Sequence, residues 1–186
     1  LIGMRRAGKT CFLHQCRRQR VESGATRETQ VYFSFDDERL AGMEAAQLHW
    51  VLEEYFLQFP EHRDRRKVAF YLDEVQVVPG WETFVRRVMD TEKVELFVSG
   101  SSAKLLSREI ATTLRGRAME TLVHPFSFRE FLRHQGAEPK EDATFLTKAQ
   151  RSAVEKLFGE FLTVGGFPEA QGLAMADRLP LLQGYV

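Results

Sequence analysis

Long apolar runs are missing from this chain. No stretch approaches the ~20 consecutive hydrophobic residues of a membrane-spanning helix, so bilayer insertion is not expected. No signal-peptide pattern is visible either. Cysteine is scarce. The two present, Cys11 and Cys16, lie five apart in an expected first helix, where a disulfide would distort the backbone. Their spacing matches neither a redox pair nor a zinc knuckle, so packing is the expected job of at least one, in a reducing, cytoplasmic setting. The five histidines, His14, His49, His62, His124 and His134, show no zinc-ligand spacing with a cysteine or acid. Net charge is absent too, with 26 basic against 26 acidic side chains, which excludes a global pull toward nucleic acid or anionic lipid. Repeats, low-complexity tracts and any Ser-His-acid arrangement are also lacking.

What is there is ordinary globular composition, 44% hydrophobic and 28% charged over 186 residues, enough for a sizeable core. Short apolar segments alternate with helical stripes. Residues 31–37, 67–74, 94–100 and 119–124 read as strands, the last of them weak. Leu48, Val51, Leu52, Tyr55 and Phe56 recur at helical offsets before Pro60. Trp81, Phe84, Val85, Val88 and Met89 repeat the pattern, as do Val154, Leu157, Phe158, Phe161 and Leu162 ahead of Gly165 and Gly166. The order predicts an α/β fold with a mostly parallel sheet covered on both faces. Beyond Pro125 the texture turns helical. The expected division is a core over 1–125 and a helical module over 126–186. Both ends read as cut, with a first strand reduced to Leu1 and Ile2, so a fragment of a longer chain is expected.

The opening "GMRRAGKT" fits G-x-x-x-x-G-K-[ST]. Consecutive backbone N–H groups in such a turn, backed by a helix N-terminus, cradle phosphate. The loop and its exit, Gly3, Met4, Arg5, Arg6, Ala7, Gly8, Lys9, Thr10 and Cys11, are the candidate nucleotide-binding residues. Lys9 would reach the β- and γ-phosphates, and Thr10 would offer its hydroxyl to Mg2+. Arg5 and Arg6 are placed to touch nucleotide, nucleic acid or solvent. With Lys9, Arg17, Arg18, Arg20 and Arg27 they make a local basic patch or a solvated helix face.

The second candidate is "VAFYLDEV". In parallel sheets ligands sit beyond the carboxyl ends of strands. Asp73, at such an end, is the candidate for holding Mg2+. Glu74 is the candidate for orienting and polarising the attacking water. Gln76 is two residues further on, a hydrogen-bonding candidate or a surface residue. After the third strand come Ser99, Ser101 and Ser102; Ser101 is favoured for sensing the γ-phosphate, against the alternative of a helix N-cap. Arg115 and Arg117 could clamp phosphoryl oxygens, in their own site or a neighbour's, or form a surface turn. The absence of an N/T-K-x-D element favours ATP over GTP.

Together "GMRRAGKT", "FYLDEVQVVPGWETFVRRV", "FVSGSSAKLLSREIATTLRGR", "HPFSFREFL" and "GGFPEA" resemble the prokaryotic AAA+-type ATPases whose full chains carry a C-terminal domain of unknown function. The resemblance implies an ASCE P-loop core, a three-layer αβα sandwich, followed by a small helical lid. It also implies a further domain after residue 186. By position, Gly3, Gly8, Lys9 and Thr10 match the Walker A residues, and Asp73 and Glu74 match Walker B. Ser99 to Ser101 fall in the sensor-1 segment, where many relatives have asparagine. Arg115 and Arg117 fall where many relatives supply an arginine finger. The expected activity is Mg2+-dependent ATP hydrolysis coupled to conformational change, with a homo-oligomer and a nucleic acid or protein partner as expected associations. A nucleotide-gated interaction module with little turnover and a P-loop small-molecule kinase are the alternatives.

Overall fold

The computed structural model describes residues 1–63, 67–101 and 117–184. Their contacts group into two compact units. One joins Leu1–Gly3 to Lys9–Val123; the other joins Met4–Gly8 to His124–Val186.

The first unit is an α/β sandwich. Its elements are β1 (Ile2–Gly3), α1 (Lys9–Glu22), β2 (Gln30–Ser34), α2 (His49–Gln58), β3 (Val68–Asp73), α3 (Trp81–Thr91), β4 (Val94–Val98), β5 (Gly100–Ser101) and β6 (Leu122–Val123). Among the described residues every strand pair is parallel. β3 lies between β2 and β4, and β1 lies between β5 and β6. Ser99 separates β4 from β5, and backbone bonds carry the sheet across it. Ser99 N–H donates to Leu72 C=O at 3.0 Å, Gly100 N–H donates to Leu1 C=O at 3.2 Å, and the Leu1 nitrogen donates to Val98 C=O at 2.6 Å. The spatial order is therefore β2, β3, β4–β5, β1, β6.

β3 is buried along its whole length, which is why its sequence is an unbroken apolar run up to Asp73. Val68, Phe70 and Leu72 face one side, in a cluster with Leu52, Tyr55 and Phe56 of α2 and Phe84, Val85 and Val88 of α3. Ala69 and Tyr71 face the other side, against Leu13 of α1, with Cys16 packed at the margin. Each fully buried large side chain contributes about 1.5–3 kcal/mol, so these two layers anchor the strand that carries the acids. Strand ends are trimmed relative to the sequence reading. β3 stops at Asp73, the expected strand over 94–100 is interrupted at Ser99, and β6 is only Leu122–Val123.

The second unit is helical. α4 (Phe128–His134) and α5 (Lys148–Val164) each begin with a capping box, Ser127 with Glu130 and Thr147 with Gln150. α6 (Met175–Gln183) contains Pro180. Phe128 and Phe131 of α4 pack on Phe161 of α5 with ring centroids 5.5 and 5.4 Å apart. Phe158 meets Phe128 edge-on at 5.0 Å but stays partly exposed, as does Leu162. Among the described residues no helix is long and apolar enough to cross a membrane.

Candidate active site

β1 ends at Gly3 and α1 begins at Lys9, so Met4–Gly8 is the link between strand and helix. Gly3 has no room for a side chain: a Cβ there would lie 2.4 Å from the Val123 carbonyl oxygen. Gly8, at φ 99°, holds a backbone conformation that favours glycine. Arg6 has φ 60°, a left-handed position taken by a non-glycine residue. Ala7 is buried, whereas Met4, Arg5 and Arg6 are exposed. The first turn of α1 carries no acid to offset the positive end of its dipole.

Lys9 is buried. Its Nζ donates to Gly3 C=O at 3.3 Å and lies 3.5 Å from Glu74 Oε1. One residue on, Thr10 Oγ1 donates to Asp73 Oδ2 at 2.7 Å. The two motifs, 63 residues apart in the chain, thus meet at the carboxyl edge of the sheet. Asp73 is 2% exposed and is held by hydroxyls. Besides Thr10, the Tyr32 hydroxyl donates to Oδ2 at 2.8 Å and Ser99 Oγ donates to Oδ1. Burial first, then the adjacent Asp73 carboxylate, pushes the Tyr32 hydroxyl up to about 12, so it remains a proton donor at neutral pH.

Glu74 leaves the strand at φ 53° and ψ 36°, again left-handed. Contacts from three neighbours hold its amide and its carboxylate. Its N–H donates to Ser99 Oγ at 3.2 Å, Gln76 Nε2 donates to its Oε2, and Lys9 faces its Oε1. Ser99 thus ties both acids to the end of β4.

The structure brings together Gly3, Lys9, Thr10, Asp73 and Glu74. Ser99 supplies a hydroxyl that meets them. Leu72 pairs with Val98, so the next residues, Asp73 and Ser99, are neighbours by register. That register is the signal a sequence reading could have used. Ser101 pairs with Gly3 by backbone, and its side chain lies outside what is described. Tyr32 was not singled out from sequence; a polar-tipped side chain at mid-strand was its only mark. Arg117 is not gathered into the site. It pairs with Asp90 in the last turn of α3, just ahead of β4, at the edge where the parallel strands begin and opposite Asp73. The geometry thus gives no support to Arg117 serving its own chain's site. Arg115 and Ser102 lie outside the described residues. Cys11 is exposed on α1.

Among the described residues no group of three His, Cys, Asp or Glu is found that could itself hold a metal ion. The Thr10 and Asp73 oxygens suit a hard divalent cation that completes its shell with phosphate and water oxygens.

A family model described as an AAA domain matches residues 1–132, a span that includes both motifs. An uncharacterized protein of Methanocaldococcus jannaschii is 36% identical over 169 residues, covering 91% of this chain and 35% of the relative. An uncharacterized protein of Haemophilus influenzae is 31% identical over 182 residues, covering 96% of this chain and 40% of the relative. The chain thus spans between a third and two fifths of the length of these curated relatives.

Proposed function

The chain belongs to the AAA domain family, and from that premise we propose that it binds ATP with Mg2+ and hydrolyses it to ADP and phosphate, coupling turnover to conformational change. The observation that carries the reading is the 2.7 Å bond between Thr10 Oγ1 and Asp73 Oδ2, made beside the Lys9–Glu74 contact.

The residues support distinct roles. The backbone N–H groups of the Gly3–Thr10 turn and the start of α1 offer donors to phosphate oxygens. Lys9, already desolvated, supplies the fixed cation for the β- and γ-phosphates. Thr10 and Asp73 offer a hydroxyl and a carboxylate to Mg2+, which supplies charge neutralisation on the phosphates when bound. Glu74, one residue beyond Asp73, can accept a hydrogen bond from water and take its proton. Its backbone is left-handed, at φ 53°. Backbone strain of this kind persists only where neighbours over-determine it, as Ser99, Gln76 and Lys9 do here.

Product analysis separates this reading from a small-molecule kinase: free phosphate is expected, not a phosphorylated acceptor. The decisive variant is Glu74→Gln under single turnover. ATP affinity should stay within about threefold of wild type while phosphate release slows roughly 100-fold. An undiminished rate removes Glu74 from the chemistry. A wild type that binds ATP without releasing phosphate at all favours the nucleotide-gated interaction module.

A further inference from the structure

The segment Gly165–Ala170, GGFPEA, takes no part in the chemistry above, yet it is built as a rigid turn. Gly165, at φ 75° and ψ −177°, occupies a region essentially closed to other residues. Gly166 sits so close to Phe126 that a Cβ would lie 2.3 Å from the Phe126 carbonyl oxygen, and Phe126 N–H donates to Gly166 C=O at 2.7 Å. Pro168 opens a short 3-10 turn that ends at the fully buried Ala170. The Gln171 side-chain amide closes the turn, donating to Gly165 C=O and Phe167 C=O, both at 2.9 Å.

This turn presents Glu169, whose Oε2 lies 2.5 Å from Arg6 Nη1, across 163 residues of sequence and within the second compact unit. Arg6 is the loop residue at φ 60°. A non-glycine residue resists that conformation, and a glycine would adopt it freely. Left-handed positions are also what turns successive N–H groups inward in an anion-binding nest. A carboxylate on a rigid mount, gripping the guanidinium of the strained residue, opposes its relaxation.

We propose that Glu169 is a positioning residue for the phosphate loop: acting through Arg6, it holds the left-handed kink that lets the loop receive a nucleotide's phosphates. This rests on reading Gly3–Thr10 as the nucleotide loop. It gives the GGFPEA turn a function. The competing possibility is that Arg6 itself reaches phosphate and Glu169 opposes it, which predicts the reverse sign.

The test is a double-mutant cycle read by calorimetric titration with MgATP, using wild type, Glu169→Gln, Arg6→Gly and the double variant. Glu169→Gln should bind about fivefold more weakly, the upper range for a half-exposed ion pair. Its turnover at saturating ATP should stay within about twofold of wild type, and Glu169→Asp should fall between the two in affinity. In the Arg6→Gly background, where no strained side chain needs holding, Glu169→Gln should change affinity by less than about 1.5-fold. Affinity equal to or tighter than wild type in Glu169→Gln overturns the proposal. So does a fivefold loss that persists in the Arg6→Gly background, since Glu169 would then act elsewhere. Failure of the wild type to bind MgATP overturns the nucleotide reading itself, and this inference with it.

Discussion

Ser99→Ala removes one oxygen from a fully buried part of the site. Ser99 is fully buried, and its hydroxyl works in two directions, donating to Asp73 Oδ1 and accepting the Glu74 N–H at 3.2 Å. Without it, a carboxylate that is 2% exposed loses a donor, and the N–H of a left-handed residue loses its acceptor. A hydrogen bond to a charged group contributes about 1.5–3 kcal/mol, and stranding a buried neutral donor costs about 1–3 kcal/mol. The two losses share one atom and a common relaxation, so they overlap; about 3 kcal/mol is the expected sum. For a chain of this size each kcal/mol moves the melting midpoint by about 2–4 °C, which gives a drop of about 6–12 °C. Calorimetric melting measures it, with Ser99→Thr as the hydroxyl-retaining comparison. A Ser99→Ala midpoint within about 2 °C of wild type would refute the bridging role.

Three further outcomes follow from the same contacts. Gly3→Ala should destabilise the fold by about 1–3 kcal/mol or more and abolish ATP binding. The reason is that the new Cβ would lie 2.4 Å from the Val123 carbonyl oxygen, and β1 and β6 would have to part; urea unfolding and ATP titration check it. Glu74→Gln should separate binding from hydrolysis in single-turnover assays, as set out above. Glu138 is gripped by Arg133 and Arg129, which hold its carboxyl down at about 2, below its ordinary 4.5. A lowered carboxyl stabilises the fold above the ordinary value and loses that contribution as pH falls toward the folded one. The melting difference between wild type and Glu138→Gln should therefore hold above pH 4.5 and shrink toward zero as pH approaches 2. A difference independent of pH would show that the pair has no effect on folding.

Much of the sheet was readable because hydrophobic periodicity is local. The run from Val68 to Leu72 and the helical offsets from Trp81 to Met89 report burial on two faces and on one. The GMRRAGKT loop and the paired acids stand out as candidates for a related reason: glycines, a lysine and carboxylates in fixed order mark a chemistry without neighbours, and the structure brings Lys9 and Thr10 to Asp73 and Glu74. What stayed hidden depends on register. Nothing within "VSGSS" marks Ser99 above the favoured Ser101, and the pairing of Leu72 with Val98 is what places Ser99 beside Asp73. Tyr32 reads as a strand aromatic until β2 lies against β3 and its hydroxyl meets Asp73. Arg117 reads from sequence as a candidate phosphoryl clamp, with a surface turn as the alternative. Its place is set by the parallel sense of the strands, which takes the approach to β6 to the far edge of the sheet. The Arg6–Glu169 pair joins positions 163 residues apart, and no local pattern announces it.

The central claim, that triphosphate and magnesium bind where the N-terminal turn meets the acids of β3, is tested most directly by titrating Lys9→Ala with ATP in the presence of Mg2+. The account predicts that wild type binds and that the variant binds at least ~100-fold more weakly, since Lys9, a buried cation at the proposed phosphate site, is removed. Equal affinity in the two proteins would contradict it.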